Sequence, residues 1–262
     1  MAVRLRHLSF LALGAAASTT AAAQDCGEIR IWTARALATV LAEIGSQFER
    51  DTGCRLNVIS DLPSAFLRRA DAGESFDLFI SVSSTVDAWI SEGRVIASTR
   101  TDLAQSGIGV EVRAGAPKPD ISSVDAFKRA LLQAKSIAYL RVGSGIYTAA
   151  LLERLGVADS VSSKVIRPES DIVSELVAKG AVELGIVVIT QILTTPGVEL
   201  VGPLPPEIQS YIVFTAGVSA ASSKPAAARQ LIEFLRGPTA VPVIHAQGMT
   251  ALANDGKRRL AP

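Results

Sequence analysis

Residues 76–84, Phe-Asp-Leu-Phe-Ile-Ser-Val-Ser-Ser, constrain the fold of this chain more than any other segment. Leu78, Phe79 and Ile80 make the continuous apolar run of a strand covered on both faces. Such a strand sits inside a sheet with helices on either side. Ser81, Ser83 and Ser84 follow where the strand must end, and an amphipathic segment from Val86 to Ile90 begins at once. Strand, hydroxyls, then helix start is how an open α/β sheet builds a ligand site at the carboxyl ends of its strands. Free N–H groups at a helix start favour an anion there. A buried strand followed by a serine helix cap explains the same residues. The pattern gains weight because the chain repeats it.

Strand and helix patterns alternate over the remaining sequence. A strand over 28–32 leads to a helix whose apolar face is Leu37, Val40, Leu41, Ile44 and Phe48, with Gly53 as its stop. A strand over 55–60 follows, then Pro63 in the first turn of a helix that runs to Ala72. Beyond the strand at 76–81, further strands are predicted over 108–112, 136–140, around Val165, over 184–189 and over 211–219. Helices are predicted after Ser123, from Gly145 to Leu155, over 172–178, over 226–235 and over 239–246. This alternation means an α/β fold with mainly parallel sheets.

The amino terminus reads as an export signal. Arg4, Arg6 and His7 are basic, residues 8–17 form an apolar run too short to span a bilayer, and Ala21-Ala22-Ala23 fits a small-residue cleavage pattern. Cleavage after Ala23 predicts a periplasmic, soluble chain; an uncleaved anchor is the alternative. Loss of Arg4 and Arg6 takes the formal charge from +1 to −1, which gives no electrostatic reason to expect nucleic acid or a membrane surface as partner. About 240 residues make one large domain or two smaller ones. Cys26 and Cys54 each precede a strand, and a helix joins those strands, so the strands are expected to be parallel neighbours with their starts together. In an oxidising compartment this predicts a Cys26–Cys54 disulfide, worth about 3 kcal/mol by loop closure. Two free buried thiols are the alternative.

The census of catalytic motifs is mostly negative. His245 is the one histidine beyond the leader, and neither a serine-nucleophile elbow nor a phosphate loop occurs. No metal or cofactor is expected. Four segments remain where a strand gives way to a helix through small or hydroxyl residues: Thr33-Ala34-Arg35, Leu62-Pro63-Ser64, Ser81 to Ser84, and Gly143-Ser144-Gly145. Facing each other across a cleft, they would bind an anion; singly, each also reads as a helix cap or turn.

Residues 29–37 (Ile-Arg-Ile-Trp-Thr-Ala-Arg-Ala-Leu), 72–81 (Ala-Gly-Glu-Ser-Phe-Asp-Leu-Phe-Ile-Ser), Gly145-Ile146-Tyr147 with Leu155-Gly156, 184–187 and 234–238 resemble, in order, the periplasmic molybdate-binding proteins of ABC transporters. The resemblance implies two α/β lobes of the type II periplasmic-binding-protein architecture, joined by two crossing strands and closing on an oxyanion. The crossovers would fall near 108–112 and 211–218. Lobe one would take residues 24–107 and 216–262, and lobe two 108–215. The implied partner is an inner-membrane permease, with the protein acting as a monomer.

The ligand positions depart from the family pattern. Arg35 stands where the family presents a serine, and Ser64 is the only hydroxyl in its second motif. Matching backbone donors in the second lobe fall at Ser144 and Ile172, and Val188 replaces a tyrosine. The candidate ligand set is Thr33, Arg35, Ser64, Ser81, Ser83, Ser144 and Ile172. A guanidinium favours planar, bidentate acceptors, so a small organic carboxylate is the leading ligand class and molybdate, tungstate or another oxyanion the alternative. A surface arginine pointing away from the cleft remains open for Arg35. A periplasmic sensor of the same fold and a serine hydrolase are the readings from other classes. The chain is otherwise expected not to be an enzyme.

Overall fold

The computed structural model describes residues 26–169 and 172–252. The expected leader, residues 1–23, lies outside them. The first unit is β1 (Gly27–Thr33), α1 (Arg35–Thr52), β2 (Cys54–Ser60), α2 (Pro63–Asp71), β3 (Leu78–Val82) and α3 (Ser83–Ser91). β1 lies between β2 and β3, all parallel. α1 ends where Gly53 takes φ 73°, a left-handed conformation open to glycine, and donates its N–H to Glu49 O at 2.9 Å. Cys26 and Cys54 are joined, as expected. Gly27 pairs with Cys54, so the bridge staples the amino ends of β1 and β2.

β4 (Thr101–Arg113) then leaves this unit and enters the second. There follow α4 (Val124–Gln133), β5 (Ile137–Ala138), α5 (Ser144–Arg154), α6 (Ala158–Val161), β6 (Val165–Ile166), α7 (Val173–Ala178), β7 (Leu184–Val188), α8 (Ile189–Thr194) and β8 (Val198–Pro203). β5 pairs in parallel with β6 and β7, while β7 and β8 both run antiparallel to β4. The chain returns through β9 (Tyr211–Val218), α9 (Pro225–Arg236), α10 (Ala240–Ala246) and β10 (Thr250–Ala251). The strand order is β2-β1-β3-β9-β4-β7-β5-β6, with β8 and β10 also on β4.

Both faces of each sheet are covered, as the apolar strands require. In the first lobe Leu78 and Ile80 pack with α1, α9 and α10. On the opposite face Trp32, Phe66, Phe76, Phe79 and Trp89 form an aromatic cluster under α2 and α3, with Phe79 and Trp89 stacked at 4.1 Å between centroids. In the second lobe Phe127, Leu131, Leu151 and Ile186 lie in one core, and Val173, Val177, Val187 and Ile192 in another.

Two expectations change. β4 starts at Thr101, not at Ile108, so one strand serves both lobes: 101–107 pair with β9 and 108–113 with β7 and β8. Residues 211–215, given to lobe two on sequence, hydrogen-bond wholly within the first sheet, to β3 and to the first half of β4. The passage between lobes is instead residues 204–210, where Gln209 binds both Ile108 N (2.9 Å) and Ile108 O (3.0 Å). Apolar patterning reports burial and is blind to which neighbour a strand pairs with.

Candidate functional site

The register of β4 locates the site. Phe214 of β9 faces Val82, the last residue of β3, on one side and Ala104 of β4 on the other. β4 therefore runs in the direction of β3, passes the carboxyl ends of β1, β2 and β3, and continues into the second sheet. There Ile108 faces Val188, the last residue of β7. β7 runs against β4, and β5 and β6 run with β7. The carboxyl ends of the two parallel sets thus face each other across residues 104–108 of β4. Four residues of extended chain set the two levels about 13 Å apart, room for a small molecule.

Helix starts line both edges. α1, α2 and α3 begin on the first edge, and α5, α7 and α8 on the second. Among the described residues none of these six has a side-chain cap, whereas the α4 start is capped by Ser123 Oγ accepting from Ala126 N at 3.2 Å. The uncapped amides are orphan donors that an anion can satisfy.

The seven predicted residues all fall on these two edges, but their chemistry differs. Arg35 is the first residue of α1, is exposed, and has no ion pair among the described residues. Ser64, in the first turn of α2, is exposed. Thr33 is buried and donates its hydroxyl to Ala34 O at 3.2 Å. Ser81 is buried within β3. Ser83 opens α3, and its hydroxyl lies 2.7 Å from Thr215 Oγ1, which is 2.6 Å from Asp102 Oδ1. The carboxylate accepts from Thr215, so the single Ser83 proton goes to Thr215 Oγ1 or to Val213 O at 3.3 Å, inward in either case. Ser83 then offers an anion its backbone N–H rather than its hydroxyl. In the second lobe Ser144 opens α5 with a buried Oγ that has no hydrogen-bond partner among the described residues. Ile172 precedes α7 as its N-cap residue.

Neighbours that the sequence reading passed over complete the edges. Asp61 follows β2 and accepts from Leu62 N at 2.8 Å. Arg141 and Glu169 stand together on the second edge, 3.7 Å apart. Tyr139 lies behind them: burial pushes its phenol above the usual value, opposed by the Arg167 guanidinium 5.2 Å over its ring. Leu62, Val142 and Ile146 are exposed apolar side chains on the facing rims. Thr215 lies 132 residues from Ser83 and 113 from Asp102, so no local signal could have found that network. Two cavities, of about 410 Å³ beside Leu204–Pro206 and about 300 Å³ beside Arg30, Asp77 and Lys224, lie away from the gap.

Comparison with known proteins agrees with the α/β fold of these lobes. The profile of the family described as bacterial extracellular solute-binding protein matches residues 29–250. The chain is 32% identical over 252 residues to an aconitate isomerase of a Pseudomonas species, covering 93% of this chain and 96% of the relative. It is 27% identical over 235 residues to the molybdate-binding protein ModA of Escherichia coli, covering 86% and 90%. Among solved structures, the periplasmic molybdate-binding protein of Azotobacter vinelandii superposes with a TM-score of 0.66 at 21% identity, over 85% of this chain and 98% of that one.

Proposed function

Since this chain belongs to the bacterial extracellular solute-binding proteins, we propose that it binds a small organic carboxylate between its lobes and delivers it to the permease of an ABC importer. On this reading the protein works in the periplasm, as a monomer, after removal of the leader. The observation that carries the reading is Arg35, an exposed guanidinium without an ion pair among the described residues, placed on uncapped helix starts where the gap opens. Its charge and the amides of α1 act on the same anion. A tetrahedral oxyanion wants many short neutral donors, and the inward proton of Ser83 and the substitution by Arg35 remove two. The lobe-two contacts of this reading are the amides after Ser144 and Ile172.

A second reading, isomerisation of an unsaturated carboxylate, is favoured by one observation, the 32% identity to a protein named aconitate isomerase. Moving the double bond requires a base that takes a proton from a methylene carbon and returns it to the far end of the three-carbon unit. Asp61 and Glu169 are the carboxylates on the two edges suited to that transfer.

A thermal-shift screen of carboxylic acids, molybdate and tungstate tests both. A bound carboxylate at a hundredfold excess over Kd stabilises the native state by about 2.7 kcal/mol. Stabilisation by oxyanions alone would overturn the carboxylate reading. Incubation with trans-aconitate, followed by proton NMR, separates binding from turnover: conversion establishes the second reading, and an unchanged spectrum with bound acid leaves the first.

A further inference from the structure

We propose that Arg141 supplies a second cationic contact, from the second lobe, so that the ligand carries at least two carboxylates, one gripped from each side of the gap. This rests on the carboxylate reading above and names the ligand more narrowly.

Backbone pairing fixes where Arg141 stands. Tyr139 N donates to Ile166 O at 3.2 Å and Arg141 N to Pro168 O at 3.0 Å, extending the β5–β6 ladder to the edge of the gap. β5 and β7 are in parallel register, Ile137 with Leu184, so Arg141 is level with Val188, the residue that closes β7. The chain then turns sharply. Gly143 takes φ 57°, and a Cβ on Gly145 would lie 1.6 Å from Leu140 O. This tight turn keeps Arg141 and the first turn of α5 on one edge. Ser144 Oγ, buried and without a hydrogen-bond partner among the described residues, lies in the same turn.

The guanidinium is available. Its one ion pair among the described residues, with Glu169, spans 3.7 Å between side chains that are 59% and 77% exposed. Such a pair contributes little and is readily exchanged. Arg35 on the opposite edge has no ion pair among the described residues. A monocarboxylate can neutralise one of these two guanidinia; a di- or tricarboxylate of matching length neutralises both and takes the fork geometry each prefers.

Calorimetry on residues 24–262 with propane-1,2,3-tricarboxylate, glutarate, butyrate and molybdate is the test. The tricarboxylate, glutarate or both should bind at least tenfold more tightly than butyrate. Arg141→Gln should remove that preference, weakening the polycarboxylate at least tenfold while butyrate changes less than twofold, and Arg141→Lys should restore part of it. Circular dichroism checks that these exposed-site variants stay folded. Equal affinity for butyrate and the polycarboxylates overturns the two-handed grip, as does a polycarboxylate affinity indifferent to Arg141→Gln. If Arg35→Gln weakens binding in that case, the carboxylate reading stands without the second arginine. If no carboxylate binds, both fall together.

Discussion

Arg35 and Ser83 occupy equivalent places, each the first residue of a helix at the end of a parallel strand, yet the fold surrounds them differently. Arg35 is exposed and has no ion pair among the described residues, which on the proposed reading leaves its charge for a ligand. Ser83 is tied through Thr215 to Asp102, which in turn pairs with Arg100 at 2.9 Å. Arg35→Ala and Arg35→Ser should both weaken carboxylate binding at least about tenfold, the loss expected for a charge-assisted contact. Arg35→Ser should in addition favour molybdate, because it restores a short neutral donor. Titration calorimetry decides this, and unchanged affinity in both variants would show that the guanidinium points away. Ser83→Ala should leave ligand affinity within about twofold but lower stability by about 1 kcal/mol, the worth of a lost buried hydrogen bond, read from denaturant midpoints. Sequence gave no basis for separating these two residues. The hydroxyl was visible, but the direction of its proton is set by residues of β9 that lie 130 and 132 positions away.

At the scale of elements, legibility followed apolar density. β3 and α1 were readable because Leu78, Phe79 and Ile80 are buried together and because Gly53 stops the helix in a left-handed turn. The first half of β4, Thr-Asp-Leu-Ala-Gln-Ser-Gly, was not: its small and polar residues are buried or half-buried by pairing with β9 and β10, with Asp102 accepting from Thr215 and Ser106 donating to Gly248 O. β8 escaped for the opposite reason, since its half-exposed residues pair on one side only, with β4. The turn into α5 offers a direct check on an element that the sequence pattern marks. Gly145→Ala places a methyl group against the Leu140 carbonyl, a backbone atom that cannot swing aside. The turn must open, at an expected cost of about 3 kcal/mol. A clearly lowered thermal midpoint, with lost ligand affinity because Ser144 and Arg141 move, is the expected result; a wild-type midpoint would show that the turn is looser than described.

For the molecule as a whole, two lobes share β4 and the return passage 204–210, with apolar Leu62 on one rim and Val142 and Ile146 on the other. A ligand that bridges the edges draws these side chains out of water, so binding should close the gap. Small-angle scattering with and without a confirmed carboxylate should give a smaller radius of gyration for the bound form, and an unchanged radius at saturation would count against closure. The placement of the aromatic cluster has a separate consequence. Both tryptophans of the chain, Trp32 and Trp89, sit in the first lobe, while Tyr139 and Tyr147 belong to the second. Indole emission is therefore a one-sided gauge, lit by half of the molecule and dark to the other. Denaturation curves from emission and from far-ultraviolet ellipticity will superpose only if the halves melt together. Separate midpoints would reveal that a single shared strand transmits ligand-driven motion without transmitting cooperative unfolding.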